Sequence, residues 1–198
     1  MKTTIFNTPI LSPILHHVAK FLLYIVGWEV EGKLPDLPKF ILIGAPHTSN
    51  WDFILFLVVI FNLRANVRFM GKAQLFHGPF GWFFYWCGGV PVDRAKPQGL
   101  VEQMVQACNK SEKFILTIAP EGTRQKVGEW KMGFYHIAKA TGIPVVIAVV
   151  DGVRKIVRIG QIYDLTDNTE ADMKAIKGFF ANVLGVNPKR KVGVQVPV

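Results

Sequence analysis

Apolar positions along this chain fall into blocks with two different periods. From 13 to 27 they recur at helical spacing, with Ile14, Val18, Phe21, Leu22 and Ile25 on one side and His16, His17, Lys20 and Tyr24 on the other. Ser12-Pro13 reads as a cap followed by a proline at the first helical position. A helix of about 15 residues spans roughly 22 Å, short of the roughly 30 Å hydrocarbon core of a bilayer. It therefore fits either an interfacial helix dipping into one leaflet or a helix packed on the domain's own core. Residues 32–38 read as a loop, and 40–44 is a continuous apolar run of the buried-strand kind. A second apolar block, 51–63, is long enough for a helix, and 67–71 is a short strand. From Lys72 a helical segment leads into the aromatic stretch Phe80, Trp82, Phe83, Phe84, Tyr85 and Trp86, which fits a core, an acyl slot or a headgroup contact.

The second half continues the alternation. Residues 88–94 read as a turn, a short strand and a charged end, 97–110 as a helix, 114–118 as a strand and 126–130 as a polar loop. A helix over 132–141 ends at Gly142. The strand 143–150 turns at Asp151-Gly152 into a hairpin partner at 154–162, and 167–184 reads as a helix. Strands alternating with helices predict an α/β fold, a single domain with a mostly parallel central sheet flanked by helices. The expected division is a membrane-associating amphipathic segment at 1–30 and the main domain at 31–198.

Composition sharpens this picture. Half of the 198 residues are hydrophobic and the formal net charge is +9. An apolar, basic chain suits an anionic membrane surface or anionic ligands. Nucleic acid is not expected, because the basic residues are scattered, with one short cluster at Lys189-Arg190-Lys191. The two cysteines, Cys87 and Cys108, form no CxxC, so no metal site is expected and free thiols in a reducing compartment are. Prolines and Lys20 interrupt any signal-peptide core, and the glycines and prolines of 74–92 would break a lone helix in lipid.

The candidate chemistry sits where the first apolar strand ends, at Ala45-Pro46-His47-Thr48-Ser49-Asn50-Trp51-Asp52. His47 and Asp52 cannot pair inside one regular helix, since five residues rotate a side chain by roughly 140°. They can pair if His47 lies in the turn leaving the strand and Asp52 in the first helical turn, with Ser49 or Asn50 as cap. A histidine held by a carboxylate is a general base. Without a GxSxG serine it points to direct transfer: the base takes a proton from an acceptor hydroxyl, which attacks an activated acyl carbonyl. Gly122-Thr123-Arg124 adds an anion site, with close backbone approach, a hydroxyl and a planar guanidinium; Arg94 and Lys72 are further cations. Glu121 would orient Arg124 or bond an acceptor hydroxyl. His47, Arg94 and the Glu121 block all follow expected strands, where α/β sheets gather functional residues.

Four blocks occur in a recognisable order: His47 and Asp52 separated by four residues, then Gly89-Val90-Pro91-Val92-Asp93-Arg94, then Pro120-Glu121-Gly122-Thr123-Arg124, then Gly142-Ile143-Pro144-Val145-Val146. Together they resemble the motifs of the glycerolipid acyltransferases, the 1-acyl-glycerol-3-phosphate acyltransferase family, over about 40–150. The resemblance implies transfer of a fatty acyl chain from acyl-CoA or acyl-carrier protein to a lysophospholipid hydroxyl, in phospholipid synthesis or remodelling. It implies catalysis by His47 and Asp52, and acceptor-phosphate binding through Arg94, Glu121, Gly122, Thr123 and Arg124. It also places Lys72 in a stretch similar to the family's Lys-x-x-Leu, whose lysine reaches toward the acceptor. It implies no bound cofactor and a peripheral or monotopic position on the cytoplasmic membrane face. Pro46 stands where asparagine is frequent, Ala119 where Phe is usual, and Ile147 where a second proline is common. These departures leave the acceptor headgroup open, so another headgroup or a lyso-aminolipid also fits. The alternative is a non-catalytic protein that binds anionic lipid on the same scaffold.

Overall fold

The computed structural model describes residues 4–92, 99–123 and 129–189. Seven strands form one sheet among these residues: β1 (Glu29–Gly32), β2 (Lys39–Ala45), β3 (Val67–Lys72), β4 (Gly89–Val92), β5 (Phe114–Ile118), β6 (Val145–Asp151) and β7 (Ile156–Tyr163). Their order is β1-β7-β6-β2-β5-β3-β4. Every neighbouring pair is parallel except the hairpin β6–β7. The helices are α1 (Leu11–Val26), α2 (Trp51–Asn62), α3 (Gln74–His77), α4 (Gly81–Trp86), α5 (Leu100–Asn109), α6 (Gly133–Thr141) and α7 (Thr169–Gly178). The expected α/β class and mostly parallel sheet are what the chain adopts.

Strand geometry divides the core in two. Along β2, Phe40 and Leu42 point to one face and Ile41, Ile43 and Ala45 to the other, as a period of two requires. The first face packs with residues of α1, α2 and α4; the second packs under α5, α6 and α7. Because both faces are covered, β2 and β6 are almost wholly buried, which explains their unbroken apolar runs. Each fully buried Ile, Leu or Phe side chain contributes about 1.5–3 kcal/mol. Cys87 and Cys108 are free and buried in these cores.

Several local expectations need correction. Helix α1 starts at Leu11, so Pro13 is its third residue; the first four amides of a helix lack intrahelical acceptors, and the proline forfeits nothing there. The strand β1 falls partly in a segment read as loop. It is four residues long, with exposed Glu29 and Glu31 around a single apolar Val30, too short and polar to stand out as a strand. Helix α7 stops at Gly178 rather than running to 184, and Phe180 beyond it turns inward against Trp130, with ring centroids 5.3 Å apart. Gly27 and Gly142 close α1 and α6 in the left-handed conformation that glycine adopts without strain.

Helix α1 packs on the protein through a row other than its most apolar one. Its protein-facing stripe is Leu11, Leu15, Ala19 and Leu23, an i, i+4 row packed toward α2. The more apolar stripe, Ile14, Val18, Phe21, Leu22 and Ile25, faces outward. His16, expected on the polar face, is half-buried with Nδ1 3.2 Å from the Phe61 carbonyl oxygen. No helix among the described residues is long and apolar enough to cross a membrane.

Candidate active site

Parallel strands bring their C-terminal ends to one edge of the sheet. β2 and β5 are direct neighbours, so the turn after Ala45 and the turn after Ile118 meet. The Ala45–Pro46 peptide is cis, and His47 follows on the rim. Five residues later Asp52 is the second residue of α2. This strand-to-helix turn gives the pair its contact: His47 Nδ1 lies 2.8 Å from Asp52 Oδ2.

Asp52 Oδ2 is also a backbone anchor. It accepts the Thr48 N–H at 2.6 Å and the Ser49 N–H at 2.8 Å. A carboxylate in the first turn is favoured by the unpaired amides and dipole of a helix N-terminus. Neither Ser49 nor Asn50 caps the second or third helical amide as expected. Ser49 Oγ accepts the Trp51 N–H instead, and Asp52 itself gathers the amides preceding the helix. With Nδ1–H given to Asp52, Nε2 is the nitrogen left to accept a proton. The His47 side chain is 29% exposed and Asp52 11%, so the imidazole can be reached while its orienting carboxylate stays covered.

Glu121 approaches from β5. It is 1% exposed, and its Oε1 accepts the His47 N–H at 3.1 Å. Burial pushes its carboxyl above the usual carboxylate range, against the pull of hydrogen bonds from its own and the His47 amides. Among the described residues Glu121 Oε2 and Asp52 Oδ1 are buried without a partner, which leaves both open to a further donor. Gly122 turns at positive φ under the stem of Lys131, whose own N–H donates to Pro120 O at 2.8 Å.

The structure thus brings together His47, Asp52, Glu121 and Gly122, with Thr123 next in the turn. Lys72 ends β3 on the same rim, exposed, with no hydrogen bond or ion pair to His47 or Glu121 among the described residues. Arg94 and Arg124 lie outside the described residues. No group of three His, Cys, Asp or Glu side chains among the described residues is arranged to hold a metal ion. Lys131 escaped the sequence reading because it falls between an expected loop and an expected helix, without periodic neighbours to mark it.

The acyltransferase family model matches residues 28–151, which contain this whole arrangement. The chain belongs to the acyltransferase family. Among individual relatives, a 1-acyl-sn-glycerol-3-phosphate acyltransferase of Saccharomyces cerevisiae is 33% identical over 72% of this chain and 48% of its own length. One from Cocos nucifera is 29% identical over 69% of this chain and 46% of its own. A chloroplast enzyme of that name from Brassica napus is 31% identical over 58% of this chain and 35% of its own. The chain therefore spans about half, or less, of the curated relatives it matches. The fold matches the crystal structure of the Thermotoga maritima 1-acyl-sn-glycerophosphate acyltransferase PlsC, with a TM-score of 0.63 over 85% of this chain and 76% of that one, at 21% identity.

Proposed function

We propose that this protein transfers a fatty acyl chain from a thioester, acyl-CoA or acyl-carrier protein, to the hydroxyl of a lysophospholipid such as 1-acyl-glycerol-3-phosphate. The observation that carries this reading is the 2.8 Å contact between His47 and Asp52, at the sheet edge of a chain in the acyltransferase family. His47 Nε2 takes the proton of the acceptor hydroxyl as its oxygen attacks the thioester carbonyl. The carbon–sulfur bond breaks, the thiolate leaves, and the imidazolium returns the proton to it. Asp52 holds the Nδ1–H tautomer and stabilises the imidazolium. No protein nucleophile and no bound cofactor take part in this scheme.

Lys72, Arg94, Thr123 and Arg124 are assigned to the acceptor phosphate, where a guanidinium fork and a hydroxyl suit a dianion. Gly122 lets the ligand approach the backbone. Glu121 holds the His47 amide and offers Oε2 to the acceptor. Residues 1–30 serve as the membrane-associating segment and 31–198 as the acyltransferase domain, working on the cytoplasmic face. The outward apolar stripe of α1 supports the membrane part, since such a stripe fits the headgroup boundary.

The test is acyl transfer to 1-acyl-glycerol-3-phosphate in vesicles, with acyl-CoA and acyl-carrier protein compared as donors. His47→Ala is expected to keep its circular dichroism and vesicle binding and to lose about 10²–10⁴-fold in rate. Transfer near the wild-type rate would contradict the mechanism. Vesicle binding without transfer by the wild type, over a panel of lysolipids, would favour a non-catalytic lipid-binding role.

A further inference from the structure

The turn that carries His47 is held from a third direction, by a segment far away in sequence. Beyond α7 the chain comes back to the sheet's functional edge. The Gly152 N–H donates to Leu184 O at 2.7 Å, which ties the returning segment to the β6–β7 turn. Gly185 then lies directly on the turn after β2. A Cβ at Gly185 would sit 2.6 Å from Thr48 Oγ1, 2.7 Å from Thr48 Cγ2 and 3.1 Å from Pro46 O. Two residues on, the Asn187 N–H donates to Thr48 Oγ1 at 2.9 Å. Gly152 is closed in the same way, since a Cβ there would run into the Gly185 carbonyl.

Thr48 is the shared member of two sets of contacts. Its side chain is fully buried under the returning segment, and its own N–H donates to Asp52 Oδ2. That oxygen also receives His47 Nδ1–H. Contacts on the Thr48 side chain are therefore passed, through one peptide unit, to the carboxylate that orients the base. A turn placed by one such hydrogen bond and two close backbone approaches has little room to drift, and small misplacements of a catalytic group are costly.

We propose that residues 184–187 form a positioning strap for the catalytic turn, with Thr48 as its anchor and Gly185 as the point of closest approach. The strap sets the orientation of His47 against the acceptor hydroxyl without touching substrate. This inference rests on the reading of His47 as the base.

The test compares Thr48→Val, Thr48→Ser, Gly185→Ala and His47→Ala on acyl-CoA and 1-acyl-glycerol-3-phosphate in vesicles. Thr48→Val keeps the shape and removes the acceptor oxygen, so it carries the test even if Gly185→Ala does not fold. Thr48→Val and folded Gly185→Ala are expected to lower kcat about tenfold or more with both KM values near wild type, while Thr48→Ser stays within about twofold. Wild-type kcat in Thr48→Val, or a raised KM at unchanged kcat, with His47→Ala inactive, overturns the strap and leaves the base reading standing. Equal damage from Ser and Val at position 48 overturns the hydrogen-bonded anchor. Full activity in His47→Ala overturns the base reading itself, and the strap with it.

Discussion

The two helical layers on either side of the sheet obey different rules. In the layer of α5, α6 and α7 each helix buries one apolar stripe, and α5 and α6 contribute no exposed large hydrophobic residue. In the layer of α1, α2, α3 and α4 the helices are apolar on both sides. They pack inward through Leu15, Leu23, Val59, Ile60 and Phe76, and outward they expose Phe21, Ile25, Trp51, Ile54, Leu75 and Trp82. Solvated helices normally turn polar residues outward, so an outward apolar skin on one layer sets it apart from the other and accords with the proposed membrane contact. The layer with that skin is the one whose α2 begins at Trp51 and Asp52, so the His47–Asp52 contact is rooted beside it.

If the α5–α7 layer is the stabilising side, its buried polar hub should matter for folding and not for chemistry. Asp172 is fully buried and accepts hydrogen bonds from Tyr135 and Tyr163 hydroxyls and from the Thr166 amide and hydroxyl. Asp172→Ala strands these donors and is expected to cost about 2–4 kcal/mol in denaturant unfolding, with kcat of the folded fraction unchanged. A large kcat loss at intact stability would break the division between the layers.

A smaller effect separates two buried acids by sign. Burial raises the Asp172 carboxyl, but the Thr166 and tyrosine hydrogen bonds outweigh it, and the net shift is downward. Its stabilisation is present above the usual carboxylate range and is lost as pH falls through its folded value. Glu121 is shifted upward by burial, so the folded state holds its proton more tightly than the unfolded chain. Stability falls as pH rises from the usual carboxylate range through that raised value. Glu121→Gln is therefore expected to flatten this slope, and Asp172→Asn to remove stability mainly at neutral pH. Thermal unfolding between acid and neutral pH reads both, and matching slopes in the two variants would contradict the assignment.

Much of this was legible from residue types alone. The run Phe40 to Gly44, followed by Pro46 and the apolar block from Trp51, specified a strand, a turn and a helix, and hence a route for His47 to meet Asp52. What stayed hidden has physical reasons. The apolar stripe of α1 was readable from Ile14, Val18, Phe21 and Ile25, but periodicity gives the direction of greatest hydrophobicity and not the medium it meets. The protein-facing row through Ala19 is weaker in sequence and wins because α2 lies there. Strand order places Glu121 on the His47 amide through the pairing of β2 with β5, a long-range contact that no local pattern encodes. The return of Gly185 onto Thr48 is likewise a matter of close backbone approach, signalled in the sequence by nothing more than a glycine.

The contrast between the layers is tested most directly by Phe21→Glu/Ile25→Glu, two exposed positions on α1 that do not support the core. Acyl transfer would be measured with 1-acyl-glycerol-3-phosphate embedded in anionic vesicles and with a short-chain, water-soluble form. The expected result is loss of vesicle binding and about tenfold or greater loss of vesicle turnover, with the soluble acceptor used as well as by wild type. Undiminished binding and turnover on vesicles would contradict a membrane-facing apolar layer.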